Sequence, residues 1–120
     1  MERALVIKLT AGAGEAERVN QAFTVGASAV AAGASVSFWL TGDAVFFAVP
    51  GRAEGFELPH AAPLADLVAA VLEGGRLTVC TQCAKRRELT EADLIPGTRI
   101  AGAPAFVEEI LADGAQAIVY

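Results

Sequence analysis

Two cysteines, Cys80 and Cys83, are the residues best suited to chemistry; they stand in the order Cys-Thr-Gln-Cys. They follow the apolar run RLTV at residues 76–79 and open a helical pattern over residues 81–89. A cysteine where a strand hands over to a helix has its sulfur beside unpaired backbone N–H groups and the positive end of the helix dipole. Both favour the thiolate. Cys80 is the residue so placed. Cys83 lies one helical turn on, roughly 5 to 6 Å away between Cβ atoms, so a small rearrangement joins the two as a disulfide. The bland reading is a pair of small buried apolar residues. Zinc needs about four ligands, and His60, the only histidine, supplies at most a third. A thioredoxin-type oxidoreductase is allowed by Cys-x-x-Cys in a βαβ setting. Here, though, the motif follows the third strand rather than the first, and Pro104 reads as an ordinary first-turn proline. A nucleophilic Cys80 that carries sulfur or senses oxidation fits the placement best.

Other residues compete for a role. His60, in the irregular segment 51–62, reaches the cysteines as a base only if that segment folds over the sheet. Lys85, Arg86 and Arg87 form the only basic run, read as cations at a helix C-terminus that face solvent or a neighbouring subunit. The turn at residues 11–14 (AGAG) suits an anion but lacks the G-x-G-x-x-G spacing and the Walker lysine, so no nucleotide site is expected. Phe38, Trp39, Phe46 and Phe47 either line a pocket mouth or, more in keeping with their type, pack in the core or a subunit interface.

The elements that position these residues follow from periodicity. Strands are expected at residues 3–10, 35–40, 76–79, 98–101 and 115–120, and helices over 15–33, 44–49 (capped by Asp43), 63–74, 81–89 and 104–112. In the last helix Phe106, Val107, Ile110 and Leu111 are expected to face inward. Alternating strands and helices with short connections predict a three-layer α/β/α domain over residues 1–120, Rossmann-like, around a mainly parallel five-stranded sheet. Sites in such sheets gather at the carboxyl ends of the strands, here residues 11–14, 41–43, 80–83 and 102–104.

The composition bounds the rest. The chain has 120 residues, 54% of them apolar, with nine basic against fourteen acidic side chains and a net charge of -5. That is enough for one core without staples, and too acidic for a duplex-binding surface. Residues 19–42 carry no charge, but Asn20, Gln21, Thr24, Ser28, Ser35 and Ser37 interrupt them, which argues against a membrane span. Without a leader-like start the chain is expected to be cytoplasmic.

The segment VCTQCAKRRELTEADLIPGTRIAGAPAFVEEILADGAQAIVY, with ALVIKLTAG and SVSFWLTGDAV before it, resembles the DsrE/DsrF-like family of small sulfur-relay proteins. In relay members a cysteine is followed six and seven residues later by two arginines, and Cys80 with Arg86 and Arg87 fits that pattern. The resemblance places the persulfide-carrying position on Cys80. It implies a homotrimer or hexamer, sulfur-donor and sulfur-acceptor partners, and no cofactor. A resolving role for Cys83 is an expectation from spacing alone. Glu88 stands where a glycine usually follows the arginine pair. The rival expectations are a non-catalytic binding or regulatory subunit of the same fold and a Cys-x-x-Cys thiol-disulfide oxidoreductase.

Overall fold

The computed structural model describes residues 3–120. Five strands, β1 (Ala4–Leu9), β2 (Ser35–Leu40), β3 (Arg76–Cys80), β4 (Arg99–Ala101) and β5 (Ala115–Val119), form one sheet in the order β4-β3-β2-β1-β5. All neighbours pair in parallel. Helices α1 (Ala16–Ala31), α2 (Leu64–Gly74), α3 (Thr81–Arg86) and α4 (Ala103–Ile110) connect them, with a 3₁₀ helix at Gly42–Ala48 in place of the α-turn expected there. The three-layer α/β arrangement is the one the alternation predicts, with the sheet wholly rather than mainly parallel.

Register divides the sheet into two chemically different faces. The row Ile118–Ile7–Phe38–Leu77 and the row Leu9–Leu40–Val79–Ile100 are apolar. All but Ile118, which is 37% exposed, belong to the core under α1 and α2, where the Phe23 and Phe38 rings stack with centroids 4.4 Å apart. Gly26 of α1 is required at that contact, because a Cβ there would sit 2.9 Å from the Phe38 ring. The opposite face carries the row Val119–Lys8–Trp39–Thr78–Arg99. Among the described residues only the short α4 crosses it.

That polar row explains a correction in α4. Val107 and Leu111, expected to face inward, are 45% and 76% exposed. Glu109 turns inward instead, because the sheet beneath it offers hydrogen-bond donors rather than apolar surface. Its Oε1 accepts from Ser37 Oγ at 2.5 Å and from Trp39 Nε1 at 3.0 Å, and its Oε2 from Arg99 Nη2 at 2.6 Å. Arg99 Nε donates to Thr78 Oγ1 at 2.9 Å, and its guanidinium lies 5.2 Å from the Trp39 ring centre. Burial pushes the Glu109 carboxyl up, but the hydrogen bonds from Ser37, Trp39 and Arg99 and the Arg99 charge outweigh it and hold the group below the ordinary glutamate range.

Candidate functional site

β3 delivers Cys80 to the carboxyl edge of the sheet, opposite Ala101 of β4. Its backbone is still extended (φ -63°, ψ 128°), so Cys80 is the N-cap residue of α3, as its position in the sequence predicts. Cys80 is half-buried and Cys83 is 8% exposed; both are free thiols. Partial burial raises the Cys80 pKa. Hydrogen bonds from the Cys83 backbone N–H, the Cys83 thiol and the Gln82 N–H, with the positive charge of Lys8, overcome that and leave the thiol below its ordinary value.

Lys8 is a contributor that the motif search missed. It is the one charged residue in an otherwise apolar β1, two residues before the strand's turn, on the face of the sheet that α4 crosses. Its Nζ stands 5.0 Å over the Phe106 ring of α4. A lone lysine near the carboxyl end of a buried parallel strand is the signal that would have found it.

The turn after β2 is bound to α3 at two points. Gly42 N–H donates to Cys83 Sγ at 3.2 Å, from a left-handed backbone (φ 56°) in which any Cβ would also crowd Thr10 O. Asp43 Oδ1 accepts from Arg87 Nε at 3.0 Å and from Nη2 at 2.8 Å. Arg87 Nη1 donates to the Cys83 carbonyl at 3.1 Å, satisfying one of the orphan carbonyls of α3. Two expectations are corrected here. Asp43 makes no capping bond in the 3₁₀ helix, because its carboxylate is turned to Arg87. Arg87 does not face solvent with Lys85 and Arg86, which are exposed; it folds back across the site.

α3 then closes in a Schellman motif: Leu89 N–H bonds Ala84 O at 2.9 Å and Glu88 N–H bonds Lys85 O at 3.1 Å. Glu88 carries the left-handed φ of 56° this requires, a conformation that suits glycine. Glu88→Gly is therefore expected to stabilise the protein by about 0.5 to 1 kcal/mol, read from the midpoint of urea unfolding. A loss of stability would show that the strain assigned to Glu88 is absent.

His60 is exposed at φ 62° in the irregular segment, and among the described residues it makes no hydrogen bond to Cys80 or Cys83. No three of His, Cys, Asp and Glu are gathered to hold a metal among those residues. No described helix is long and apolar enough to cross a membrane. Phe38, Trp39 and Phe47 are core residues, and Phe47 also lines a cleft of about 340 Å³ with Ala13, Gly14, Asp43 and Phe46, whose ring centre lies 4.5 Å from the Arg52 guanidinium.

Residues 4–120 match the model of the DsrE/DsrF-like family. The chain belongs to the DsrE/DsrF-like family. Among curated relatives, an uncharacterised protein of Methanocaldococcus jannaschii, MJ0760, is 31% identical over 114 residues, covering 88% of this chain and 42% of that protein. The chain thus spans about two fifths of the length of that relative. Of solved structures, the YchN protein of Escherichia coli superimposes with a TM-score of 0.72 at 14% identity, and MTH1491, a protein of unknown function from Methanobacterium thermoautotrophicum, with 0.64 at 12%; both alignments cover all of each chain. At those identities the likeness is one of fold. DsrE-like chains share this sheet with helices on both faces, and the family is one of sulfur-relay type.

Proposed function

We propose that this protein carries sulfane sulfur as a persulfide on Cys80. The observation that supports this is a half-buried thiol at the β3–α3 junction, held below its ordinary pKa by two backbone N–H groups, the Cys83 thiol and Lys8. The Cys80 thiolate attacks the outer sulfur of a donor persulfide; the donor's S–S bond breaks and its thiolate leaves. An acceptor thiolate then attacks the outer sulfur on Cys80, and Cys80 departs as a thiolate. A lowered pKa serves both steps, because it raises the thiolate fraction and makes Cys80 a better leaving group. Two unpaired thiols fit a reducing, cytoplasmic compartment. The test is intact mass spectrometry after exposure to a small-molecule persulfide donor. Gain of one sulfur, removable by a thiol, is expected; no gain overturns the carrier reading. The neighbouring Cys83 keeps a second reading open, a thiol-disulfide oxidoreductase, which predicts turnover of a model disulfide with a thiol reductant. The non-catalytic binding subunit predicts neither.

The carrier is proposed to act as a homo-oligomer, a trimer or hexamer, with donor and acceptor proteins as partners. Supporting this, α4 covers its sheet face thinly: Val107, Leu111 and Val119 are 45%, 76% and 62% exposed, and β5 is a bare edge. Leu111→Lys with Val119→Lys is expected to lower the mass measured by sedimentation to that of one chain. An unchanged mass would place the interface elsewhere. The exposed Lys85 and Arg86, in the last turn of the helix that Cys80 opens, give an acidic partner a surface to meet.

A further inference from the structure

We infer that Asp43 and Arg87 form a clamp that holds Cys83 away from disulfide formation with Cys80, so that Cys83 does not act as a resolving thiol. Both are positioning residues, acting on the reacting sulfurs through Cys83. The geometry fixes Cys83 from two sides. Its sulfur accepts the Gly42 N–H at 3.2 Å, and its carbonyl accepts Arg87 Nη1 at 3.1 Å. Arg87 is itself tied to Asp43 at 2.8 and 3.0 Å, and Asp43 is the residue after Gly42. The ion pair therefore joins the end of α3 to the same turn whose N–H holds the sulfur. Gly12 supports it from behind: a Cβ at residue 12 would stand 2.7 Å from the Asp43 Cβ.

Disulfide formation works against this arrangement. A disulfide needs the two Cβ atoms about 3.5 to 4.5 Å apart, and Cys83 Sγ must leave the Gly42 N–H to bond the Cys80 sulfur. An intact clamp opposes that movement.

The consequence for sulfur retention rests on the carrier reading above. In a loaded protein the competing reaction is attack by the Cys83 thiolate on the Cys80 Sγ. The Cys80–Cys83 bond forms, the persulfide S–S bond breaks, and the outer sulfur leaves as hydrosulfide with the proton given up by Cys83. Two cysteine sulfurs are oxidised and the sulfane sulfur is reduced, with no outside oxidant. Loss of the clamp therefore spends the cargo as free sulfide.

Oxidation by diamide, which accepts two hydrogens from the thiol pair, tests the clamp without any persulfide. The rate of intramolecular disulfide formation is measured in the wild type, Arg87→Gln, Asp43→Asn, Gly12→Ala and the double variant Asp43→Asn/Arg87→Gln, with folding checked by circular dichroism. Each single variant is expected to form the disulfide about fivefold faster, the scale of one ion pair. The double variant is expected to be no faster than either charge variant, because the two residues act as one unit. Equal rates in folded wild type and variants overturn the clamp, and so do additive accelerations. A second arm follows sulfide release from persulfide-loaded protein, expected to be faster in Arg87→Gln and abolished when Cys83→Ala is added. Release from Arg87→Gln no faster than from wild type, or persisting without Cys83, overturns it. If the wild type takes up no sulfur at all, the carrier reading falls while the diamide arm still decides the clamp.

Discussion

Cys80→Ser is expected to take up no sulfane sulfur under conditions in which the wild type gains one atom. A serine hydroxyl is not ionised at neutral pH, and the N–H groups of Gln82 and Cys83 that stabilise a thiolate at this position do not close that gap. Cys83→Ala is expected to load, because the receiving sulfur is intact. It loads more slowly near neutral pH, since Cys80 loses the hydrogen bond from the Cys83 thiol and its pKa rises towards the ordinary value. Intact mass against time for the two variants, with peptide mapping, separates these outcomes. Full loading of Cys80→Ser would move the acceptor role to Cys83 and sink the assignment.

The second large effect lies away from the sulfur. Glu109→Ala is expected to cost about 2 kcal/mol, the scale of removing a charged acceptor from a part-buried hydrogen-bond network. Ser37 Oγ and Trp39 Nε1 lose the acceptor they share, and Arg99 keeps only its bond to Thr78. Urea unfolding measures the cost; a loss under about 1 kcal/mol would show that solvent replaces the carboxylate, as at an exposed ion pair. The same group sets an acid limit. Its folded pKa is depressed, so its contribution is present above the ordinary glutamate range, near about 4.3, and is lost as pH falls through the folded value. Between about pH 5 and pH 3 the wild type is expected to lose more stability than Glu109→Gln, which has no carboxyl to protonate. Parallel acid profiles for the two proteins would refute the assignment.

The placement of Cys80 was legible because it depends on local order alone: an apolar run, a cysteine, then a helical pattern. The parallel sheet was legible for the same reason, since alternating elements with short connections leave few arrangements. The Asp43–Arg87 pair was not, because its partners lie 44 residues apart and meet only once β2 and β3 are neighbours. Hydropathy alone also misdirected α4. Reading Val107 and Leu111 as inward assumes an apolar sheet beneath, yet alternation along β1, β2, β3 and β4 had already put Lys8, Ser37, Thr78 and Arg99 on that face. Tracing each strand's second face would have exposed the need for an acceptor such as Glu109.

The strand order also bears on how the chain reaches this state. β1 gains its second neighbour only when β5 arrives: Tyr120 N–H bonds Lys8 O at 2.8 Å and Thr10 N–H bonds Tyr120 O at 2.9 Å, with Thr10 and Tyr120 separated by 110 residues. Contacts this distant in sequence slow folding, because loop closure must come before any pairing rewards it. Until then Ala4–Leu9 presents a bare apolar edge to other chains. Detachment of β5 uncovers the same edge, so a substitution that loosens the seam between β1 and β5 is expected to lower the temperature at which the protein aggregates.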